Sequence, residues 1–216
     1  MQDTISTGSI ISFLKKNYQG AGFIDSLKIK YRSLICPFSS LIELVKPGDK
    51  VGDIGCGSGQ FLLLVSHFAK PSEVFGIEIS DRLINNARKL FSIRPGSKHD
   101  FSTYDGVHFP DAVSAMDVIF LVDVLHHVPK NAQEAFMKNL IAKMKKGARF
   151  VLKDIDAGSP LVYFNKCHDM IFAREIGNEI SFATAKEILQ KNGLTIIEEN
   201  KRRMYVYPHY TLVAEK

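Results

Sequence analysis

The stretch from residue 51 to residue 61, VGDIGCGSGQF, contains the residues whose types and spacing most clearly suggest chemistry. Its three glycines lie at alternate positions: Gly55, Gly57 and Gly59. A glycine-rich turn between a strand and a helix usually brings backbone amides close to a nucleotide. A dinucleotide loop needs a glycine at position 60, where this chain has Gln60, and Asp53 beside the loop would repel a pyrophosphate. The loop therefore suits a ligand that carries a positive charge.

A second acid, Glu78, lies near the end of the apolar run VFGIEI at residues 74–79. A carboxylate there can accept both hydroxyl protons of a ribose, and open α/β sheets hold ligands at the carboxyl ends of their strands. The alternative is an exposed acid at a strand end. Taken together, the loop and Glu78 favour a ligand with a ribose and a cationic, phosphate-free part.

These residues need a sheet to position them, and strands and helices alternate after residue 50. Strands are predicted at 51–55, 74–79, 100–105, 116–125 and 148–155. Helices are predicted at 60–69, after Ser80, after Asn131 with Glu134 in a capping-box-like spacing, at 161–174 and at 181–192. This alternation predicts a parallel sheet covered on both faces. The last two strand-like runs leave no room for a helix between them, so they should pair antiparallel.

The chain before residue 50 breaks the alternation. Helical stretches at about 8–18, 25–35 and 37–46 predict an N-terminal helical cap over residues 1–46, within the same domain as residues 47–216.

Composition favours an ordinary globular protein of the cytoplasm. The formal net charge of +5 is small and the basic residues are spread along the chain, which argues against a nucleic-acid partner. No apolar run approaches the length of a membrane span, and the N-terminus does not resemble a secretory signal. The three cysteines form no disulfide framework or zinc motif, and we expect no metal site.

Five motifs in order and in register resemble the class I S-adenosylmethionine-dependent methyltransferases. The resemblance covers roughly residues 45–216 and implies a three-layer, Rossmann-like sandwich with a mainly parallel seven-strand sheet whose last strand is antiparallel. The motifs are VGDIGCGSG (51–59), VFGIEIS (74–80), YDG (104–106), MDVIFLVDVLHHV (116–128) and MKKGARFVLKD (144–154).

The resemblance implies a binding site for S-adenosylmethionine, with S-adenosylhomocysteine as the product. Glu78 would hold the ribose hydroxyls, and Ile79 would pack on the adenine. The methionine end would be held by Asp53 and by the backbone of the loop residues Gly55, Cys56, Gly57 and Gly59.

Two further acids complete the implied cofactor site. Asp105, followed by Gly106, would accept the adenine amino group, and Asp123 would lie near the sulfonium. The alternative for Asp105 is a turn residue, and for Asp123 a helix cap. The family commonly has a bulky apolar residue in place of Gly52 and an aromatic one in place of Met116; these departures concern packing.

The candidate catalytic residues are His126, His168 and Tyr163. A histidine suits a general base near neutral pH if the methyl acceptor is a hydroxyl. His126 follows the fourth strand, where histidines are often structural. Tyr163 and His168 belong to the helix predicted at 161–174, which would cover the acceptor or simply pack into the core.

The sequence VDVLHH stands where methyltransferases of base amino groups or of glutamine usually carry an Asn/Asp-Pro-Pro-aromatic motif. We therefore expect methyl transfer to a small-molecule, sugar or lipid-linked acceptor. Two alternatives stay open: an RNA or protein methyltransferase, and a non-catalytic or reductase-like binder of a nucleotide cofactor.

Overall fold

The computed structural model describes residues 5–17, 34–92, 98–172 and 176–216. In chain order the elements are α1 (Thr7–Asn17), α2 (Phe38–Glu43), β1 (Lys50–Ile54), α3 (Gln60–Phe68), β2 (Glu73–Glu78), α4 (Asp81–Ser92), β3 (Lys98–Thr103), β4 (Val118–Val122), α5 (Gln133–Lys143), β5 (Arg149–Ile155), α6 (Val162–Phe172), α7 (Phe182–Lys191), β6 (Thr195–Met204) and β7 (Tyr207–Glu215). Two 3₁₀ turns, Asp111–Ala115 and Leu125–His127, flank β4. The helix predicted at about 25–35 falls largely outside the described residues.

The seven strands form one sheet in the order β3-β2-β1-β4-β5-β7-β6. Strands β1 to β5 pair in parallel, and β7 runs antiparallel to both β5 and β6. The predicted mainly parallel, Rossmann-like sheet with an antiparallel last strand is therefore confirmed. Because parallel strands share one direction, the carboxyl ends of β1, β2 and β4 meet at a single edge, which we call the carboxyl edge.

Two hydrophobic clusters cover the two faces of the sheet. One contains the buried residues of the N-terminal helices, including Ile10, Leu14 and Leu41, together with most of α3. The other contains the buried residues of α5 and α7. The α1 and α2 helices thus pack directly on the core of the sheet. The guanidinium of Arg149 on β5 fixes the segment that follows α2, since it donates to Leu44 O and lies 2.5 Å from Asp49 Oδ2.

Helices α4 and α7 begin directly after Ser80 and Ser181, where the sequence predicts their starts, whereas the N-cap residue of α5 differs from the prediction. Ser181 Oγ accepts a hydrogen bond from Thr184 N at 3.1 Å, and Ser80 Oγ lies 3.5 Å from Leu83 N. The predicted cap at Asn131 is wrong: α5 begins at Gln133 with Ala132 as its N-cap residue. The turn after Pro129, in which Ala132 N donates to Pro129 O at 2.7 Å, already uses these residues.

Gly52 and Met116 are one packing unit. A Cβ built on Gly52 would lie 3.0 Å from Met116 Cγ and 3.5 Å from Ile119 Cγ1. The Met116 side chain therefore fills the space that a side chain on the central strand β1 would occupy. The two departures from the family pattern compensate for each other, as expected for core positions.

Within the described ranges, no helix combines the length and apolar character that crossing a bilayer requires.

Candidate cofactor and acceptor site

The glycine loop leaves β1 at the carboxyl edge and is fixed by backbone hydrogen bonds. Gly55 N and Cys56 N both donate to Ile77 O, at 2.8 and 3.0 Å. Gly55, Gly57 and Gly59 all have positive φ, a conformation that favours glycine. Apart from Gly57 and its two chain neighbours, no atom of the described residues lies within 4 Å of the place where a Cβ on Gly57 would stand, so this side of the loop is open to a ligand.

The carboxylate of Glu78 lies against this loop. Its Oε2 accepts a hydrogen bond from Gly57 N at 3.1 Å, and its Oε1 accepts from Ile79 N at 2.9 Å and from Ser80 N at 3.3 Å. A carboxylate has about four lone-pair sites, so two incoming hydroxyls would compete with the weaker of these bonds. The predicted loop residues and Glu78 are therefore brought together at one site.

Ile79 and Gly106 lie beside each other at the ends of β2 and β3. A Cβ on Gly106 would stand 3.7 Å from Ile79 Cγ2. The side chain of Ile79 is 65% exposed and that of Val107 is 55% exposed. These exposed apolar surfaces next to the Glu78 carboxylate would suit the face of an adenine ring.

The structure gives Asp105 a role in the turn. Its Oδ1 accepts from Val107 N at 2.8 Å and from His108 N at 2.7 Å, and its Oδ2 lies 2.5 Å from His108 Nδ1. The His108 side chain, followed by the backbone bonds, holds the pKa of this carboxyl well below its usual range. The turn alternative is thus realised, and a contact of Asp105 with a cofactor remains a prediction.

Asp53 and Cys56 are less open than the glycines. Asp53 is buried on β1, where it pairs with Gly76 of β2 and Phe120 of β4. The Cys56 thiol points towards β2, since a Cβ on Gly76 would lie only 2.8 Å from its Sγ. The Cys56 N–H already donates to Ile77 O, and the Cys56 carbonyl accepts from Gly59 N at 3.0 Å. Contacts of Cys56 and Asp53 with a cofactor therefore remain predictions.

Asp123, which follows β4, forms an ion pair with the fully buried Lys153 of β5. Its φ of 56° is in the left-handed region, and its N–H donates to Lys153 O at 2.9 Å. Burial is the largest influence on Lys153 and disfavours its charged form, but Asp123, then Cys36 and Asp154, together raise the pKa of Lys153 above its ordinary value. Asp123, itself partly exposed, is thus the partner of a buried lysine rather than the cap of a regular helix.

A buried histidine–carboxylate pair stands on the other side of β5. His126 Nδ1 lies 2.5 Å from Asp154 Oδ1, and His126 N donates to Asp154 Oδ2 at 3.2 Å. Both side chains are almost fully buried. Sequence reasoning missed Asp154 and Lys153, although the charged pair in VLKDI, inside a strand covered on both faces, was a usable signal.

The turn that carries His126 is held from below by the amide of Gln133. Gln133 Nε2 donates to Leu125 O at 3.0 Å, Val128 O at 3.3 Å and Asn178 O at 2.7 Å. Asn178 N in turn donates to His126 O at 2.7 Å. The turn after β4 and the segment that follows α6 are therefore fastened to each other.

His209 of β7 is buried beside the Asp123–Lys153 pair. Neither of its ring nitrogens has a partner at hydrogen-bond distance and angle in the described part of the chain. The backbone of Ile35 lies nearby and raises the pKa of His209, but less than burial lowers it. Burial, and then the charge of Lys153, lower the pKa of His209 to about 3. Burial likewise raises the pKa of the Tyr210 hydroxyl well above its ordinary value, and Asp154 adds to that shift.

The remaining candidates, Tyr163 and His168, both belong to α6. The Tyr163 side chain is 67% exposed on the outer side of this helix. It is not among the described contacts of His126 and Asp154. The side chain of His168 lies outside what the structure describes.

Comparisons with known proteins agree with this architecture. A family model described as a methyltransferase domain matches residues 30–199, which is more than half of the chain. The 27-O-demethylrifamycin SV methyltransferase of Amycolatopsis mediterranei is 25% identical over 178 residues, which are 80% of this chain and 63% of that protein. The chain thus spans less than two thirds of the length of this relative.

Solved structures show the same fold at low sequence identity. Magnesium protoporphyrin IX methyltransferase from Synechocystis PCC 6803, with bound SAH, superimposes with a TM-score of 0.71 at 19% identity and covers 97% of both chains. The PH0226 protein from Pyrococcus horikoshii OT3 gives a TM-score of 0.70 at 21% identity, over 86% of this chain and 91% of that one. The [4+2]-cyclase SpnF gives 0.66 at 17%, over 82% and 78%.

The family match over most of the chain, the glycine loop joined to Glu78 and the seven-strand sheet lead to one assignment. The chain belongs to the methyltransferase-domain family and has the Rossmann-like fold of the class I S-adenosylmethionine-dependent methyltransferases.

Proposed function

We propose that this protein binds S-adenosylmethionine at the carboxyl edge of its sheet and transfers the methyl group to a small-molecule, sugar or lipid-linked acceptor. The observation that carries the proposal is the Glu78 carboxylate, hydrogen-bonded to Gly57 N beside an open glycine backbone. By their names, the A. mediterranei relative acts on 27-O-demethylrifamycin SV and the Synechocystis neighbour on magnesium protoporphyrin IX, which are both small molecules. Both support a small acceptor.

The cofactor would supply an already activated methyl group, so the protein mainly has to align the acceptor and exclude water. Glu78 would orient the ribose, and the exposed side chain of Ile79 would receive the adenine. Asp123 would place a carboxylate near the positive sulfur. Its pairing with Lys153 fixes the position of that carboxylate.

For a hydroxyl acceptor we assign His126 as the general base and Asp154 as the residue that positions it. A carboxylate on Nδ1 fixes the tautomer of the imidazole and stabilises its charged form, as in other histidine–carboxylate pairs. Catalytic roles for Tyr163 and His168 remain predictions. Cys36, Cys56 and Cys167 form no disulfide in the described part of the chain, which fits the reducing cytoplasm as the compartment of the protein.

Calorimetric titration of the purified protein with S-adenosylmethionine, S-adenosylhomocysteine and NADH tests the cofactor. Micromolar binding of both adenosyl ligands without an NADH signal is the expected result. Tight NADH binding without adenosylmethionine binding would support the reductase alternative. Salt-sensitive RNA binding would favour the RNA methyltransferase.

Cofactor binding alone does not establish turnover, because a [4+2]-cyclase also has this fold. An acceptor screen that measures release of S-adenosylhomocysteine is therefore the second step. With any acceptor found, His126→Ala should lower kcat by roughly 10²- to 10⁴-fold and leave the Kd of S-adenosylhomocysteine unchanged. An unchanged kcat would remove His126 from the mechanism.

A further inference from the structure

Exposed apolar side chains are concentrated in one part of the molecule. Nine large apolar residues are exposed in the described chain, and six of them lie on α6, just after it, or in the β6–β7 turn. Two of the other three, Ile79 and Val107, flank the candidate adenine site. The six are Tyr163, Phe164, Met170, Ile176, Tyr205 and Val206. We call these six residues the apolar rim.

One side of α6 is apolar and uncovered within the described chain. Tyr163, Phe164, Cys167 and Met170 are all exposed, and at about 100° per residue they span an arc of roughly 120°. The opposite side holds the helix in place, since Val162 packs with Ile155 and Tyr207 in one cluster. An aromatic and sulfur-containing face of this kind is a contact surface rather than a solvated one.

The β6–β7 turn lies next to this helix. Tyr205 has a φ of 55°, and both it and Val206 protrude from the turn. The next residue, Tyr207, belongs to the same buried cluster as Val162 at the start of α6. His209, two positions further, pairs with Ile155 at the carboxyl end of β5. The apolar rim therefore belongs to the carboxyl edge, on the same side of the sheet as the candidate cofactor site.

Positive charge accompanies these apolar residues. Lys201, Arg202 and Arg203 are exposed on β6 directly before the turn, whereas Glu198 and Glu199 lie further from it. Two acids in the described chain near α6 and β6 are already paired. Asp156 is 2.7 Å from Lys201, and the fully buried Glu179 carboxylate is 2.5 Å from Lys166.

We propose that the apolar rim, together with Arg202 and Arg203, docks peripherally on an anionic phospholipid surface. Tyrosine and other amphipathic side chains favour the headgroup region, and basic residues beside them are attracted by anionic lipids. If the proposed methyl transfer is correct, docking brings the carboxyl edge to the bilayer and favours the lipid-linked acceptor among the proposed classes. The docking itself does not depend on methyl transfer.

The test uses a fluorophore at the turn, because the full chain contains no tryptophan. Tyr205→Trp reports on the turn, and Ile197→Trp is the matched control, an exposed apolar position near the other end of the same strand. Each protein is mixed with vesicles of phosphatidylcholine alone or of phosphatidylcholine with phosphatidylglycerol. We expect a blue shift and sedimentation of Tyr205→Trp with the anionic vesicles, and no blue shift of Ile197→Trp.

The double variant Arg202→Gln/Arg203→Gln tests the electrostatic part. Each basic residue near an anionic surface increases the affinity for that surface roughly fivefold, so loss of both arginine charges should lower the affinity for anionic vesicles by about 25-fold. Failure of the unchanged protein to sediment with anionic vesicles would overturn the proposal. So would equal binding to both vesicle types, or a solution mass of two chains with the dimer covering residue 205.

A parallel titration with S-adenosylmethionine, without lipid, separates the two proposals. Lost vesicle binding with normal cofactor binding refutes only the docking surface. Lost cofactor binding with normal vesicle binding refutes only the proposed function.

Discussion

The backbone amide of Gly57 donates a hydrogen bond of 3.1 Å to Oε2 of Glu78. The open part of the glycine loop is thereby joined to the last residue of β2, and Oε1 of the same carboxylate accepts the amide of Ile79. Glu78 thus organises the loop before any ligand arrives. A ribose would replace the amide of Gly57 with its own hydroxyls and release that amide towards the ligand.

Replacing Glu78 by alanine should therefore weaken S-adenosylmethionine binding tenfold or more, which corresponds to about 1.4 kcal/mol. The loss combines the missing ribose contact with a less ordered loop. Calorimetric titration measures it, and Glu187→Ala, which removes an exposed acid on α7, is the control. Wild-type affinity in Glu78→Ala would mean that the cofactor lies elsewhere.

The contact between Gly52 and Met116 predicts strong coupling between two substitutions. Gly52→Val should lower the free energy of unfolding by about 1–3 kcal/mol because its side chain would overlap that of Met116. Met116→Ala alone leaves a cavity and should cost about 2–5 kcal/mol. In the double variant the new valine fills that cavity, so urea unfolding should give a loss well below the sum. Simple additivity would refute the packing account.

The ion pair between Asp123 and the buried Lys153 predicts which of two variants is the less stable. Asp123→Asn leaves the fully buried ammonium without its carboxylate and should cost about 3–5 kcal/mol. Lys153→Met removes the charge from the core and leaves Asp123, which is partly exposed, in contact with water; this variant should cost less. Urea unfolding without cofactor measures both. The prediction fails if Lys153→Met is the less stable protein.

The lowered pKa of the buried His209 predicts that the folded protein loses stability in mild acid. Its pKa is about 3 in the folded protein and 6.5 ordinarily, so the unfolded chain binds the proton first as the pH falls. The contribution of the neutral ring is therefore complete above pH 6.5 and is lost progressively as the pH decreases towards 3.

We expect the wild-type free energy of unfolding to decrease below pH 6.5 by up to about 1.4 kcal/mol per pH unit from this group. His209→Phe should remove most of that slope between pH 7 and pH 5, whatever its absolute stability. His99→Gln, which changes an exposed histidine of β3, should keep the wild-type slope. Parallel pH profiles of wild type and His209→Phe would contradict the assignment.

Local sequence patterns were sufficient for the elements and the loop. The predicted helix at 60–69 is observed at Gln60–Phe68, and the predicted strand at 148–155 at Arg149–Ile155. Both are set by apolar periodicity and by glycine or proline at their ends, which are local properties.

The ion pairs of the site could not be predicted in the same way. Asp154 is 28 residues from His126 in the sequence, and Lys153 is 30 residues from Asp123. Only the pairing of β4 with β5 brings these side chains together. The Asp105 turn was an open alternative because an acid before a glycine fits both a ligand contact and a turn.

The amide of Gln133 has a mechanical consequence. Gln133 Nε2 donates to Asn178 O, and Asn178 N donates to His126 O. Two hydrogen bonds therefore connect the segment around Asn178 to the turn after β4 and the start of α5. Because Lys166 of α6 donates to Gly177 O at 2.6 Å, next to Asn178, a displacement of α6 would strain these bonds or move the His126 turn with it. A force on the outer face of the helix would therefore also act on the imidazole, so that the protein surface and the buried His126 would move together.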